Sequence, residues 1–403
     1  MPYGRRVNLL AFLLALAVLW AASGQPAGAQ DAALSDYWSF DAPAPIERVA
    51  VDDLNGDGIQ EFVIVASNGE VLLLNARGEV LWRYPLGDIG PFYQLATLRS
   101  DPAGNRAPDI LLATANQLHL LSNEGQLLWQ QDIALPAPPD TVLAGDSEVQ
   151  AAWLAQHQPR DLAVLDGNGD GGQEIALVLA SGLLQYYDGA GNHLWNYETE
   201  DPPAANASPL LEVGDVDGDG AEEILFSYFG GRFSKLVLLD SAGERLWDRE
   251  RPVDGRSTAL ALVSFAPDQP LHIAVGNSLG RVHVYDENGN ERWFRTPNKT
   301  VTSLAAAELP AGPALLVGTE VGTVAAYSGQ GDRYWRTIVT DTPNRAVTSL
   351  AVSPVVPRSN QPAVAVTLSP NLSGNDNLAE VYLLDSTGQK LQDESLVSVP
   401  GAT

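Results

Sequence analysis

The segment Val71–Trp82 reads VLLLNARGEVLW, and it decides the fold because its pattern returns six times further along the chain. Each copy has a run of β-favouring residues, a turn with a glycine four residues before the last position, and a second run. Glycine can take the positive φ that such a turn requires, so each copy is predicted to be a β-hairpin. The last positions of the later copies are Trp129, Trp195, Trp247, Trp293, Trp335 and, in place of tryptophan, Gln392.

Two more strand-like runs precede each hairpin, such as residues 47–52 and 61–66 before the first one. The repeating unit is therefore four short antiparallel strands. Successive copies end 42 to 66 residues apart, and one propeller blade takes ~40–50 residues. The chain is predicted to be all-β, a seven-bladed β-propeller of four-stranded antiparallel blades over residues 46–403, with eight blades as the alternative. The large tryptophan suits a contact between neighbouring blades.

The sequence leaves open how the last blade is completed. Residues 30–45 contain the stretch Tyr37–Phe40, which resembles a stray outermost strand and could close the ring by pairing with the last blade. Residues 389–397 could supply the same strand themselves. A Pro-rich insertion at about residues 134–159 lengthens one connector between blades, and residues 369–378 lengthen one turn between a second and a third strand.

The first 29 residues are typical of a signal peptide. Arg5 and Arg6 precede an apolar run, Leu9–Ala22, and a small-x-small cleavage site follows at residues 27–29. This run is shorter than the ~20 residues that cross a bilayer. We therefore expect cleavage, no membrane span afterwards, and a secreted protein in an extracellular or periplasmic location.

Composition limits the chemistry that is open to the chain. The 403 residues include 50 Asp and Glu against 23 Lys and Arg, and no cysteine. The absence of cysteine excludes disulfides, thiolate metal ligands and cysteine nucleophiles. A surface this acidic repels phosphate backbones and attracts cations, so a nucleic-acid partner is not expected.

Three repeats carry a nine-residue acidic loop between their first and second strands: loop 1 (53–61), loop 2 (166–174) and loop 3 (215–223). Oxygen side chains at positions 1, 3 and 5, a backbone carbonyl at position 7 and a carboxylate at position 9 suit a calcium ion. The candidate ligands are Asp53, Asn55, Asp57, Ile59 and Glu61; Asp166, Asn168, Asp170, Gly172 and Glu174; and Asp215, Asp217, Asp219, Ala221 and Glu223. About three structural Ca²⁺ ions are predicted.

Two other interpretations of these loops, an EF-hand and an ordinary polar turn, fit the sequence less well. An EF-hand closes its loop with a glutamate at position 12 between helices, whereas β-favouring runs flank these loops. Ordinary polar turns also collect Asp, Asn and Gly, but three matched spacings at one place in the repeat favour metal sites. The second repeat keeps Asp101, Asn105 and Asp109 at positions 1, 5 and 9, yet Ala103 fills position 3, so we expect no metal there.

The loops resemble the FG-GAP/VCBS repeats of integrin α-subunit propellers and related bacterial surface proteins. The hairpins resemble the repeats of pyrroloquinoline-quinone-type (quinoprotein-like) and WD-type propellers. The resemblance covers nearly all of the chain after the signal peptide. It implies a calcium-binding propeller in which the residues named above are structural calcium ligands.

No recognisable catalytic motif is found, and an enzyme is not expected. Gly276–Gly280 fits the pattern GxSxG, but it aligns with β-turns of other repeats rather than with a strand–helix elbow. In a four-stranded meander the acidic loops share one face with the hairpin turns, and the insertions lie on the other. We expect that other face to bind a protein or glycan ligand. The alternative is a secreted carbohydrate-active enzyme, a polysaccharide lyase or hydrolase, with a carboxylate-based site there.

Overall fold

The computed structural model describes thirteen stretches of the chain. They are residues 40, 42–44, 46–86, 94–99, 107–199, 209–230, 233–247, 251–267, 269–340, 345–353, 362–369, 378–391 and 398–400. The predicted signal peptide, the stretch 37–39 of the possible ring-closing strand, and Gln392 lie outside these residues.

The described residues form seven four-stranded antiparallel sheets, which confirms the predicted seven-bladed β-propeller. The chain divides into two compact units. They are here called the four-blade unit (Ile46–Asn75 and Val80–Ser257) and the three-blade unit (Ala76–Glu79 and the described residues from Thr258 onward).

The strands follow one another in chain order, four to a blade. Blades 1 to 4 are β1 (Ile46–Asp52), β2 (Glu61–Ala66), β3 (Glu70–Leu74), β4 (Val80–Pro85); β5 (Gln94–Leu98), β6 (Asp109–Ala113), β7 (Gln117–Leu121), β8 (Leu127–Asp132); β9 (Pro159–Leu165), β10 (Glu174–Leu179), β11 (Leu184–Tyr187), β12 (His193–Tyr197); and β13 (Leu210–Gly214), β14 (Glu223–Gly230), β15 (Phe233–Leu239), β16 (Arg251–Val253). Blades 5 to 7 are β17 (Ser257–Val263), β18 (His272–Asn277), β19 (Val282–Tyr285), β20 (Glu291–Arg295); β21 (Val301–Leu309), β22 (Gly312–Thr319), β23 (Thr323–Tyr327), β24 (Arg333–Ile338); and β25 (Val347–Ser353), β26 (Ala363–Leu368), β27 (Leu378–Asp385), β28 (Ser398–Pro400).

Burial along the strands explains the sequence pattern within a blade. The second strands β2, β6 and β10 are buried at every residue, so they read as unbroken apolar runs rather than as alternating ones. The outermost strand β4 alternates between exposed and half-buried residues, as an edge strand with one solvated face does. The third strand β3 is buried for all but its first residue. The hydrophobic core therefore lies on both faces of the middle strands of each blade.

Within each unit the core forms layers between adjacent blades. In the four-blade unit, Val63 and Val65 of blade 1 pack with Ile110 and Leu112 of blade 2. Equivalent layers join blades 2 and 3, and blades 3 and 4. In the three-blade unit, similar layers join blades 5 and 6, and blades 6 and 7. Burial of this apolar area supplies the main favourable free energy of folding.

A tryptophan covers the hairpin turn of the next blade, which confirms the expected contact between blades. The Trp82 indole N–H donates to the carbonyl of Asn123 at 2.8 Å. A Cβ added to Gly125 would come within 2.8 Å of the Trp82 ring, so the ring lies directly over this glycine. The same pairing of ring and turn glycine occurs for Trp129 with Gly191, Trp195 with Gly243, Trp293 with Gly331, and Trp335 with Gly388.

Two hairpins depart from the predicted pattern. In blades 4 and 7 the second run makes only an isolated bridge after the turn, Leu239 with Arg245 and Leu384 with Lys390. The fourth strand then forms later, as β16 and β28. The third strands of these blades, β15 and β27, are seven and eight residues long. Their N-terminal halves pair with β16 and β28. In blade 7 the fourth strand is Ser398–Pro400, whereas the sequence offered residues 389–397 as one of two candidates.

Replacing Gly125 with alanine is expected to destabilise the protein for two reasons. The φ of +79° costs an L-residue about 1–2 kcal/mol, and overpacking against the Trp82 ring costs about 1–3 kcal/mol more. Gly56→Ala is the matched control, because Gly56 has a φ of +76° and nothing within 4 Å of the added Cβ. Denaturant unfolding in the presence of a chelator measures the loss of unfolding free energy in each of the two variants. An equal loss in Gly125→Ala and Gly56→Ala would show that the ring contact contributes nothing.

Candidate metal centres

The three acidic loops occupy the same place in their blades. Loop 1 joins β1 to β2, loop 2 joins β9 to β10, and loop 3 joins β13 to β14. In each loop the glycines at positions 4 and 6 have a positive φ, between +69° and +96°. Such a backbone suits glycine and turns the chain sharply twice within nine residues. Each loop follows the first strand of its blade and leads into the buried second strand, so the sheet holds both of its ends.

The side chains at positions 1, 3 and 5 point into their own loop. In loop 1 the Asp53 carboxylate accepts from the N–H of Gly56 at 2.7 Å and of Gly58 at 2.9 Å. The Asn55 side-chain oxygen accepts from the Asp57 N–H at 2.8 Å, and the Asp57 carboxylate accepts from the Ile59 N–H at 2.7 Å. Loops 2 and 3 repeat three of these bonds. The backbone N–H groups of positions 5, 6 and 7 donate to the side-chain oxygens of positions 3, 1 and 5, respectively. These bonds hold the side chains of positions 1, 3 and 5 against the backbone of their own loop.

The glutamate at position 9 closes each loop from the buried side. Glu61, Glu174 and Glu223 start the second strands and are only 2%, 9% and 3% exposed. One oxygen of each accepts from the backbone N–H of position 2, at 3.0, 3.0 and 2.7 Å. In loops 1 and 2 the other oxygen accepts from the side-chain amide of Asn55 or Asn168.

Loop 3 brings three carboxylates together. Oxygens of Asp215, Asp217 and Glu223 all lie within 4.8 Å of one another. Ca²⁺ holds its oxygen ligands at 2.3–2.6 Å, so two ligands of one ion lie no more than about 5 Å apart. These three residues therefore fit a calcium ion. The position-5 Asp219 is not part of this group, and among the described residues the acids of loops 1 and 2 form no such group. The Ala221 carbonyl stays a predicted ligand.

The electrostatics of the loops favour a cation. Burial raises the pKa of Glu61 to about 7, an effect that the Asp57 and Asp53 carboxylates increase and the Leu54 N–H opposes. Burial likewise raises the pKa of Glu223 to about 7, with Asp217 and Asp219 adding to the rise. The pKa of Glu174 is raised for the same reasons. A bound divalent cation would compensate these crowded negative charges.

Position 8 has a role that the sequence did not reveal. The Gln173 side chain of loop 2 accepts from the Arg99 N–H of blade 2 at 2.6 Å. The Glu222 side chain of loop 3 accepts from the Asp166 N–H of blade 3 at 2.7 Å. Each side chain thus contacts the backbone that follows the innermost strand of the preceding blade. The signal was the shared Gln or Glu at position 8 (Gln60, Gln173, Glu222), which a search for ligands passes over.

The degenerate loop of the second repeat is only partly described. Asp101 and Asn105 lie outside the described residues. Asp109 begins β6 and is fully buried, in the place that the position-9 glutamates take in the other blades. The pattern Gly276–Gly280 covers the last two residues of β18 and the start of the turn to β19. Gly280 has a φ of +73°, and its N–H donates to the Asn277 backbone carbonyl. It is a β-turn between strands, as predicted, and not a nucleophile elbow.

The insertion at residues 134–159 is helical. It contains α1 (Asp140–Leu143) and α2 (Ser147–Gln156), neither with a buried residue. Asp146 caps α2 by accepting from the N–H of Glu148 and Val149. The Trp153 ring stacks on His157 with centroids 4.1 Å apart. The sequence had suggested a long Pro-rich connector, because the capping aspartate and the helix-forming run lie between prolines. Residues 370–377 of the other insertion lie outside the described residues.

A pair of carboxyls lies on neighbouring innermost strands of the four-blade unit. Glu212 of β13 faces Asp161 of β9, whose carboxylate accepts from the Leu211 N–H at 3.1 Å. Burial, reinforced by the Asp161 charge, raises the pKa of Glu212 to about 8.

Within the described residues, no helix has the length and apolar character needed to cross a membrane.

Comparison with known proteins supports the fold and goes no further. No family model and no curated protein matches the chain. The chain is similar to the propeller domain BBS1N, solved in complex with ARL6DN and soaked with mercury (TM-score 0.58, 18% identity, 83% of this chain and 90% of that chain). It is also similar to the Dos1 propeller (0.59, 13%, 88% and 81%) and to the dihydro-heme d1 dehydrogenase NirN in complex with DHE (0.57, 12%, 84% and 64%). At these identities the likeness shows a β-propeller alone.

The raised pKa of Glu212 predicts a pH dependence of stability. The folded pKa of about 8 exceeds the unfolded value of 4.5, so this carboxyl penalises folding increasingly as pH rises from about 4.5 to 8. Glu212→Gln removes the penalty. Its melting temperature should exceed that of the wild type by a margin that grows between pH 5 and 8 and is constant above.

Glu124→Gln, on an exposed turn, is the control that removes the same charge. Thermal melts of the three proteins at matched ionic strength test the prediction. A difference in melting temperature between Glu212→Gln and the wild type that stays constant from pH 5 to 8 would contradict it.

Proposed function

We propose that the protein is an exported, calcium-stabilised β-propeller that serves as a binding or scaffolding module for a protein or glycan ligand. The observation that carries the calcium part is loop 3, where three carboxylates converge within 4.8 Å and one of them is buried. The spacing of the FG-GAP/VCBS type in all three loops supports the same ion at each. Extracellular calcium concentrations suit loops of this kind, and the signal-peptide pattern supports export.

Strand β9 separates the proposed calcium end from the proposed binding end. The helical insertion leads into Pro159, and loop 2 follows Leu165. Seven residues of extended strand span about 20 Å, so the two features lie at opposite ends of one blade. Calcium at loop 2 would fix one end of the strand and leave the other end to present the helices.

The insertion offers the kind of surface that binds a protein. Leu143, Val149 and Leu154 are 61%, 43% and 52% exposed, so the two helices offer apolar side chains to a partner. The BBS1N structure, a propeller of similar fold, was solved in complex with another protein, ARL6DN. A protein ligand on the insertion is therefore the favoured form of the proposal.

The second candidate function is a secreted polysaccharide lyase or hydrolase. The Asp161–Glu212 pair favours it, because a carboxyl whose pKa is raised to about 8, beside a second carboxyl, resembles an acid–base pair. Asp161 lies in the half of β9 remote from loop 2, whereas Glu212 is the middle residue of β13.

Calcium binding is tested by counting ions and by thermal melts after chelator treatment. The wild type should bind three ions, and saturating calcium should raise the melting temperature by about 5 °C or more, as stabilisation by site occupancy predicts. Asp57→Ala, Asp170→Ala and Asp219→Ala should each bind one ion fewer.

Asp188→Ala is the matched control, because Asp188 caps two backbone N–H groups in the β11–β12 turn much as the loop aspartates do. It should still bind three ions. A melting temperature that chelator leaves unchanged, with no bound calcium, would refute the proposal.

Ligand class is tested with the calcium-loaded protein on a glycan array and with soluble polysaccharides. A glycan signal that Leu154→Glu abolishes would support glycan binding at the insertion. Cleavage of a polysaccharide that Glu212→Gln abolishes would support the enzyme instead.

A further inference from the structure

Loops 2 and 3 touch each other through two hydrogen bonds, one of which joins backbone groups only. The Asp166 N–H donates to the Glu222 side chain at 2.7 Å, and the Glu222 N–H donates to the Asp166 carbonyl at 3.0 Å. Two reciprocal hydrogen bonds thus join residues 56 positions apart in sequence, the first residue of loop 2 and the eighth of loop 3. Gly169 and the carbonyl of Gly220 also approach each other closely, since an added Cβ would lie 3.5 Å from that oxygen.

Both ends of this contact are fixed by candidate ligands. Glu222 lies between Ala221 and Glu223, the position-7 and position-9 ligands of loop 3. An ion in loop 3 would therefore hold the backbone on either side of Glu222. Asp166 is the position-1 ligand of loop 2, and its carboxylate accepts from the Asp170 and Gly171 N–H groups. Fixing the Asp166 backbone would in turn orient this carboxylate.

Loop 1 contacts its neighbour differently. The Leu54 carbonyl accepts from the neutral side chain of Asn123, in the hairpin turn of blade 2, at 2.7 Å. Loop 2 reaches backward to blade 2 through Gln173, which accepts from the Arg99 N–H. Neither of these contacts joins two candidate calcium loops.

We propose that loops 2 and 3 bind calcium as a coupled pair, with Glu222 as the positioning residue, and that loop 1 binds independently. The inference rests on the proposed calcium binding. Each ion pre-organises the ligands of the other, and each also reduces the repulsion among the carboxylates of two adjoining loops. Coupling of this kind makes the second ion bind more tightly than it would alone, and by reciprocity the effect is the same from either loop.

A thermodynamic cycle measures the coupling on the full chain by calorimetric calcium titration. Asp57→Ala disables loop 1 and leaves the pair. Adding Asp219→Ala leaves loop 2 alone, and adding Asp170→Ala leaves loop 3 alone. The product of the two association constants of the pair, divided by the product of the two single-loop constants, is the coupling factor. We expect about 5- to 20-fold, within the usual range for coupled sites.

Variants of position 8 assign the coupling to Glu222. Glu222→Ala should bring the factor to about 1, whereas Glu222→Gln keeps an acceptor oxygen and should retain most of it. Gln173→Ala is the matched control, because it removes the equivalent contact to a blade segment outside any candidate ligand set, and the factor should not change. The far-ultraviolet circular dichroism of each variant checks that it folds.

The outcomes separate this inference from the proposed function. No bound ion in the wild type would refute calcium binding itself. Three ions with a factor of 1 would refute the coupling alone, and loss of the factor in Glu222→Gln would refute the hydrogen bond as its route. A stronger effect of Asp57→Ala than of Asp219→Ala on the affinity of loop 2 would refute the independence of loop 1.

Discussion

An indole ring lying over a turn glycine is the contact on which the blade arrangement within each unit depends. The ring of Trp82 can reach the turn of blade 2 only because Gly125 has no side chain, and its N–H then satisfies the Asn123 carbonyl. The same glycine holds the positive φ that the hairpin needs. One residue thus serves the turn of its own blade and the packing of the preceding blade, which explains why glycine and tryptophan recur together along the chain.

Most of the fold could be predicted because its determinants are local and repeated. Turn glycines and β-favouring runs are visible in all seven copies, and the tryptophan in six of them. The late fourth strands of blades 4 and 7 could not be predicted, because they depend on the length of β15 and β27 rather than on the hairpin pattern. The helices of the insertion were also missed, since the helix-forming run between Asp146 and His157 is short and lies among prolines.

The loops show a similar division between what sequence reveals and what it hides. The spacing within one loop predicts which side chains bind the loop's own backbone, as those at positions 1, 3 and 5 do. The burial of Glu61, Glu174 and Glu223, and the contacts of position 8, come from the packing of one blade against another. No single loop contains that information, so the contact between Asp166 and Glu222 emerges only from the assembled blades.

The contacts between blades run in opposite directions along the chain. Five of the hairpin tryptophans reach forward to the following blade, whereas Gln173 and Glu222 reach backward to the preceding one. A blade transplanted alone would therefore carry an indole without a turn to cover and a polar side chain without an amide to accept from. For anyone building an artificial array from this chain, the module to copy is the junction between two blades, cut through the middle of each sheet, rather than the blade.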